Sequence, residues 1–232
     1  MGFSSGLVGG LHRITNWIMR LSIINILWFI LNLPIAVTIF SAIQHNAITG
    51  VILYLLPVLL FVPFLFFPST TALFATARDW VMEREQQSLV KTYLSNLKRN
   101  YKQSFISGLI WTVVWVIWLV DLYYLYDWND LLTVVLLIVG LFLFVMNINF
   151  FSVLAHYHMN VKELFKNTFF VTIGSPILVL TVLIINFILV KITIDIWFLL
   201  PFFSGAISGL LCFYVFYRFT LKVQKKTTEN RN

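Results

Sequence analysis

Apolar residues run along this chain in six long blocks, at about 21–43, 50–76, 104–125, 130–155, 169–190 and 195–217. None alternates polar and apolar with a period of two, so they do not read as barrel strands. A hydrocarbon core about 30 Å thick takes about 20 apolar helical residues, because lipid offers no partner to an open backbone N–H or C=O. Each block meets that length. The third runs into the Tyr123–Tyr126 region to span comfortably, and the fourth has room to tilt. The pattern predicts an all-α, polytopic transmembrane helical bundle of six spans, forming a single membrane domain over 1–232.

Between spans 2 and 3 lies the one sizeable hydrophilic segment, 78–103. Leu89, Val90, Tyr93, Leu94, Leu97 and Tyr101 fall on one helical stripe there, with Lys91, Lys98 and Lys102 off it. That spacing predicts a cytoplasmic amphipathic helix. It permits three arrangements: flat on the inner leaflet, packed beneath the other spans, or docked to a cytosolic partner. In the second span Pro57, Pro63 and Pro68 each remove a backbone donor, which predicts kinks or a break near Pro68. Internal repetition is faint. Leu97-Lys98-Arg99-Asn100 with Gly108 before the third span echoes Leu164-Phe165-Lys166-Asn167 with Gly174 before the fifth.

Charge sets the orientation. One side of the blocks carries Arg13, Arg20, Arg78, Arg84, Lys91, Lys98, Arg99, Lys102, Lys162, Lys166, Arg218, Lys222, Lys225, Lys226 and Arg231, fifteen of the 16 basic residues. The other carries Lys191 with Asp121, Asp127, Asp130 and Asp195. Cytoplasmic loops collect Lys and Arg, so both termini are expected in the cytoplasm, as an even number of spans also requires. Tyr123, Tyr124, Tyr126, Trp128 and Trp197 cluster at the outer edge as an interfacial belt, and Trp17 and Trp80 fall near the inner one.

Composition agrees: 60% of the 232 residues are hydrophobic and 11% charged, against about a quarter charged in soluble domains. The net charge of +7 sits between apolar runs, where topology demands it, so it does not indicate nucleic acid. The single cysteine, Cys212, lies in an apolar run, rules out an intramolecular disulfide and reads as a small buried side chain. Residues 1–20 do not read as a cleaved signal peptide, since the apolar run that follows is long enough to span; they are expected to be retained.

Intramembrane ionisable groups mark proton or ion coupling. Asp121 and the Lys191/Asp195 pair fall at the outer edge and no carboxylate falls near the middle of a block, which speaks against a proton-coupled pump and leaves substrate-only carriers open. The polar residues within the blocks are amides, Asn25, Asn32, Asn147, Asn149 and Asn186. Amides in hydrocarbon need partners, so they serve either as glue between helices or as a polar ligand site. Trp111, Trp115 and Trp118 form one stripe, suited to helix packing or lipid contact and, alternatively, to stacking on a sugar. Asn25, Asn32, Asn147 and the three tryptophans are thus the candidate ligand residues. Arg78, Lys91, Lys98, Arg99 and Lys102 are the candidate contacts to lipid phosphate or a partner. His156 and His158, two apart, project to opposite sides of a helix and make a poor metal pair. There is no Gly-rich phosphate loop, nucleophile elbow or His-Glu zinc motif, so no cofactor, metal or catalytic residue is expected.

Several motifs in order resemble the YesL-like family of bacterial membrane proteins. They are Asn25-Ile26-Leu27-Trp28 with Asn32-Leu33-Pro34, then Phe67-Pro68-Ser69-Thr70-Thr71-Ala72-Leu73 with Arg78. Lys98-Arg99-Asn100-Tyr101-Lys102 with Ser104-Phe105 and Gly108 follows, and Lys166-Asn167 later. The resemblance implies six spans, no known catalytic residue, and company with ABC-type carbohydrate uptake in Gram-positive bacteria. The expectation is therefore a non-enzymatic accessory of such uptake in the bacterial cytoplasmic membrane, its partners the lipid bilayer and ABC transporter subunits or a second copy of itself. A permease-like small-molecule carrier and a membrane scaffold or regulator are the alternatives.

Overall fold

The computed structural model describes residues 3–44, 48–84, 88–126, 128 and 130–229; Asp127 and Arg231, counted above, lie outside them. Among the described residues eight α-helices follow one another: α1 (Phe3–Gln44), α2 (Ile48–Phe61), α3 (Phe67–Val81), α4 (Leu89–Leu125), α5 (Asp130–His156), α6 (Val161–Gly174), α7 (Pro176–Asp195) and α8 (Gly205–Glu229). Among the described residues there is no strand. Six stretches are long and apolar enough to cross a membrane: Gly9–Gln44, Leu55–Val81, Leu89–Leu125, Asp130–His156, Pro176–Asp195 and Leu200–Lys226.

The second span is α2 and α3 joined through a π-helical turn, Val62–Phe66, which contains Pro63 and ends two residues before Pro68. Pro68 has no N–H, so the carbonyl four residues back, that of Phe64, loses its helical donor. The Tyr101 hydroxyl supplies a replacement at 3.3 Å. A second π turn, Leu200–Ser204, contains Pro201 and opens the sixth span. The fifth breaks differently. α6 ends at Gly174 and α7 begins at Pro176, with the Ser175 side chain accepting from the Leu178 N–H at 3.3 Å. Residues 169–174 of the expected fifth span therefore belong to α6.

α3 is the axis of the bundle. Each residue from Phe67 to Trp80 is buried, with α4, α5, α8 and α1 packed around it. Two close approaches show how tightly. A Cβ at Gly209 of α8 would stand 2.2 Å from Leu73 Cδ2, and one at Gly140 of α5 would stand 2.3 Å from the Trp118 ring. Small residues let transmembrane backbones approach where hydrophobic drive is absent.

The segment expected to form a separate amphipathic helix does not stand apart. Residues 89–103 are the opening turns of α4, continuous with the third span, and 78–81 close α3. The reason lies in the inward face of α4: Tyr93, Asn96, Asn100, Ser104, Ser107 and Trp111, spaced three or four apart, are all buried. One seam runs unbroken from the polar end into the membrane, and neither proline nor a glycine pair interrupts it.

Candidate functional site: a polar cluster at the cationic end

The ends of α3, α4 and α5 meet around one carboxylate. Arg78 is 3% exposed and turns inward; its Nε and Nη2 donate to Asp79 Oδ1 at 2.9 and 2.6 Å, and Nη1 donates to the Ala155 carbonyl at 2.5 Å. On the other oxygen, Asn96 Nδ2 donates to Asp79 Oδ2 at 3.3 Å, and it also reaches Thr76 Oγ1 at 3.3 Å. Arg84 Nη1 stands 3.5 Å from Asp79 Oδ1, and Arg99 Nη2 donates to Asn96 Oδ1 at 3.0 Å. A buried charge is tolerated when paired and hydrogen-bonded, and here both carboxylate oxygens and all three guanidinium nitrogens of Arg78 are engaged.

Backbone geometry delivers Arg84 to this cluster. α3 ends in a Schellman turn: Glu83 N–H donates to the Trp80 carbonyl at 3.2 Å and Arg84 N–H to that of Asp79 at 2.9 Å. Glu83 adopts φ 53°, the left-handed region that normally takes glycine. Trp80 meets Trp17 of α1 edge-to-face at 5.8 Å, and His156 is ringed by Tyr157, Phe213, Phe216 and Tyr217. α1, α3, α4, α5 and α8 therefore share this end. Just outside the membrane span, burial raises the Tyr157 phenol above its ordinary pKa.

Arg78, expected at the lipid boundary, is inside the protein, because Asp79 beside it and the Ala155 carbonyl offer it partners that lipid lacks. Lys91, Lys98, Arg99 and Lys102 are exposed; Arg99 borders the cluster through Asn96, and the three lysines lie on the outward face of α4. The candidate ligand residues divide among packing seams. Asn25 is fully buried between α1 and the start of α8, donating to the Leu200 carbonyl and accepting from the Ala206 N–H, both at 2.8 Å. Asn32 donates to the Trp28 carbonyl at 2.7 Å and to Ser69 Oγ at 2.8 Å, joining α1 to α3, while Trp28 Nε1 donates to Thr70 Oγ1 at 2.9 Å. Asn147 is buried on α5. Trp111 is fully buried against Phe150 and Phe165; Trp118 donates to the Leu136 carbonyl at 2.9 Å and meets the half-buried Trp115 edge-on at 5.5 Å.

Asp79 and Asn96 escaped the sequence reading because a span was closed at 76, ahead of the first charge. The available signal was the adjacency of Arg78 and Asp79, whose charges cancel, and the placement of Asn96 on the face of Tyr93 and Asn100. Cys212 is buried in the α7–α8 seam, where Asn186 Nδ2 approaches its Sγ at 3.3 Å and Ser208 Oγ donates to Asn186 Oδ1 at 2.7 Å.

Among known proteins, the family described as "Protein of unknown function, DUF624" matches residues 21–122. The "Uncharacterized protein YteU" of Bacillus subtilis (strain 168) is 24% identical over 224 residues, covering 95% of this chain and 89% of the relative. The "Uncharacterized protein YesL" of the same organism is 24% identical over 209 residues, covering 87% and 85%. No solved structure matches. The chain thus resembles the YesL-like family along almost its whole length.

Proposed function

We propose that this YesL-like chain is a non-enzymatic accessory of carbohydrate uptake in the bacterial cytoplasmic membrane, acting through protein contacts at its cationic end. The supporting observation is the construction of that end. Buried Arg78 and Asp79 brace α3, α4 and α5 against one another; Arg99 stands exposed at the edge of that brace, and Lys91, Lys98 and Lys102 stand exposed on the opposite, outward face of α4. A rigid, charged surface suits a macromolecular partner, because little side-chain order remains to be lost on docking. The middle of the bundle, where a translocation path would run, holds α3, buried from Phe67 to Trp80. We read the cationic end as cytoplasmic, with both termini, from the distribution of Lys and Arg. The carbohydrate context follows from the company that the YesL-like family keeps.

Affinity purification from cross-linked membranes of the producing cell tests this. Permease or ATPase subunits of an ABC-type importer should return with the wild type. They should be depleted with a Lys91→Glu/Lys98→Glu/Lys102→Glu variant of unchanged thermal stability. Lipid alone, or equal recovery from the variant, counts against the role.

A carrier is the second reading, favoured by the broken helix at Gly174–Pro176. Along the adjoining seam, buried Asn149 Oδ1 and Thr168 Oγ1 have no hydrogen-bond partner. Discontinuous spans with free polar groups are the construction of many substrate sites. Labelled-sugar uptake into reconstituted vesicles, lost in Asn149→Leu and Thr168→Val variants of unchanged thermal stability, would favour it over the accessory role.

A further inference from the structure

We propose that Arg84 and Arg99 together form a docking site for a phosphoryl group at the rim of the buried cluster. One carboxylate, Asp79, stands within ion-pair distance of arginine among the described residues, and Arg78 occupies it from inside. Arg84 reaches the same oxygen at 3.5 Å, and Arg99 is held on the amide oxygen of Asn96, itself hydrogen-bonded to Asp79 Oδ2. Arg84, Asp79, Asn96 and Arg99 are therefore one continuous polar chain, in which three guanidinium groups share a single negative charge.

Geometry, as well as charge, makes this a site. Arg78 is sealed inside, whereas the Arg84 side chain is 52% exposed and Arg99 is exposed. Each engages the cluster through one terminal nitrogen, leaving most of its N–H fork directed elsewhere. The Schellman turn at Glu83, held in a conformation side chains avoid, folds the chain so that Arg84 returns over the end of α3; Asn96 orients Arg99 from α4. Two planar forks, one just past the end of α3 and one on the third turn of α4, both tied to the Asp79–Asn96 pair, suit the tetrahedral oxygens of a phosphoryl group, which accepts paired N–H donors. Between 78 and 102 the chain carries Arg78, Arg84, Lys91, Lys98, Arg99 and Lys102 against Asp79, Glu83 and Glu85, so the surrounding field also favours an anion. The phosphoryl group belongs either to a lipid headgroup or to a soluble phosphate. The inference goes beyond the accessory role and needs no protein partner.

The full-length protein in neutral detergent is titrated with short-chain phosphatidylglycerol, with inorganic phosphate and with short-chain diacylglycerol, binding being read by native mass spectrometry. Wild type should bind at least one phosphorus-containing probe and not diacylglycerol. Phosphatidylglycerol alone assigns a lipid headgroup; binding of inorganic phosphate assigns a soluble ligand. Arg84→Gln/Arg99→Gln should weaken binding by about tenfold or more, and Arg84→Lys/Arg99→Lys, which keeps charge but loses the forks, by an intermediate factor. Lys222→Gln/Lys225→Gln, which removes equal charge from α8, should leave it near wild type. The proposal is overturned if neither phosphorus-containing probe binds at millimolar concentration, or if the α8 variant loses as much affinity as the arginine variant.

Discussion

Asn25 and Leu200, 175 positions apart in sequence, are joined by a 2.8 Å hydrogen bond from the amide of α1 to a backbone carbonyl at the start of the sixth span. Asn25 spans the π turn that contains Pro201: its oxygen accepts from the Ala206 N–H at 2.8 Å, and Ser204 Oγ donates to the same Leu200 carbonyl at 3.1 Å. The amide ties α1 to both sides of that turn. Asn25→Leu should therefore cost about 1–3 kcal/mol, the penalty for removing the acceptor of the buried Ala206 N–H. Thermal unfolding in detergent measures it, and an unchanged transition would remove Asn25 from this role.

Trp118 and Gly140 make a knob and a notch. A methyl group at Gly140 would fall 2.3 Å from a ring that cannot flex and whose Nε1 is committed to the Leu136 carbonyl. Gly140→Ala should destabilise by about 1–3 kcal/mol, as overpacking does. Trp118→Phe in the same chain should return part of that loss; strictly additive effects would disprove the clash.

Glu83 holds a left-handed conformation that costs a non-glycine residue roughly 1–2 kcal/mol. Glycine relieves the strain but enlarges the entropy of the unfolded chain by a smaller amount. Glu83→Gly is expected to stabilise by under about 1 kcal/mol, and Glu83→Val, whose branched side chain resists this φ, to destabilise. Equal transitions for the two variants would contradict the Schellman turn.

Arg78 and Asp79 allow a double-mutant cycle. Asp79→Leu leaves the buried guanidinium with only the Ala155 carbonyl and should cost about 3–5 kcal/mol; Arg78→Met should cost less, because Arg84 and Asn96 still reach Asp79, and the double variant removes both buried charges. The double variant should be markedly more stable than the sum of the two losses implies. Additivity would mean that the pair is not coupled in the folded protein.

How far the sequence carried depended on which force set each feature. The spans were legible because burying apolar length in lipid dominates, and blocks such as 130–155 need no context to be recognised. Their ends were less so. Arg78 and Asp79 read as a boundary because single charges do end spans, yet as a pair they lie within α3. The continuous run of α4 was hidden because Asn96, Asn100 and Ser104 look solvated, although all three are buried: Asn96 meets Thr76 and Asp79 of α3, and Asn100 bonds back to the Asn96 carbonyl of its own helix. Pro63 and Pro68 marked where the helical ladder would open, but not that Tyr101, 37 positions from Phe64, would meet its carbonyl, nor that Asn25 would reach Leu200 across 175 positions.

Orientation in the membrane underlies the functional reading, and single cysteines test it directly. In a Cys212→Ala background, Lys98→Cys and Asp195→Cys place one thiol at each end of the bundle. An impermeant maleimide applied to intact cells should label Asp195→Cys at once and Lys98→Cys only after lysis. Labelling of Lys98→Cys on intact cells, with Asp195→Cys protected, would put the cationic cluster outside and contradict a role at the cytoplasmic surface.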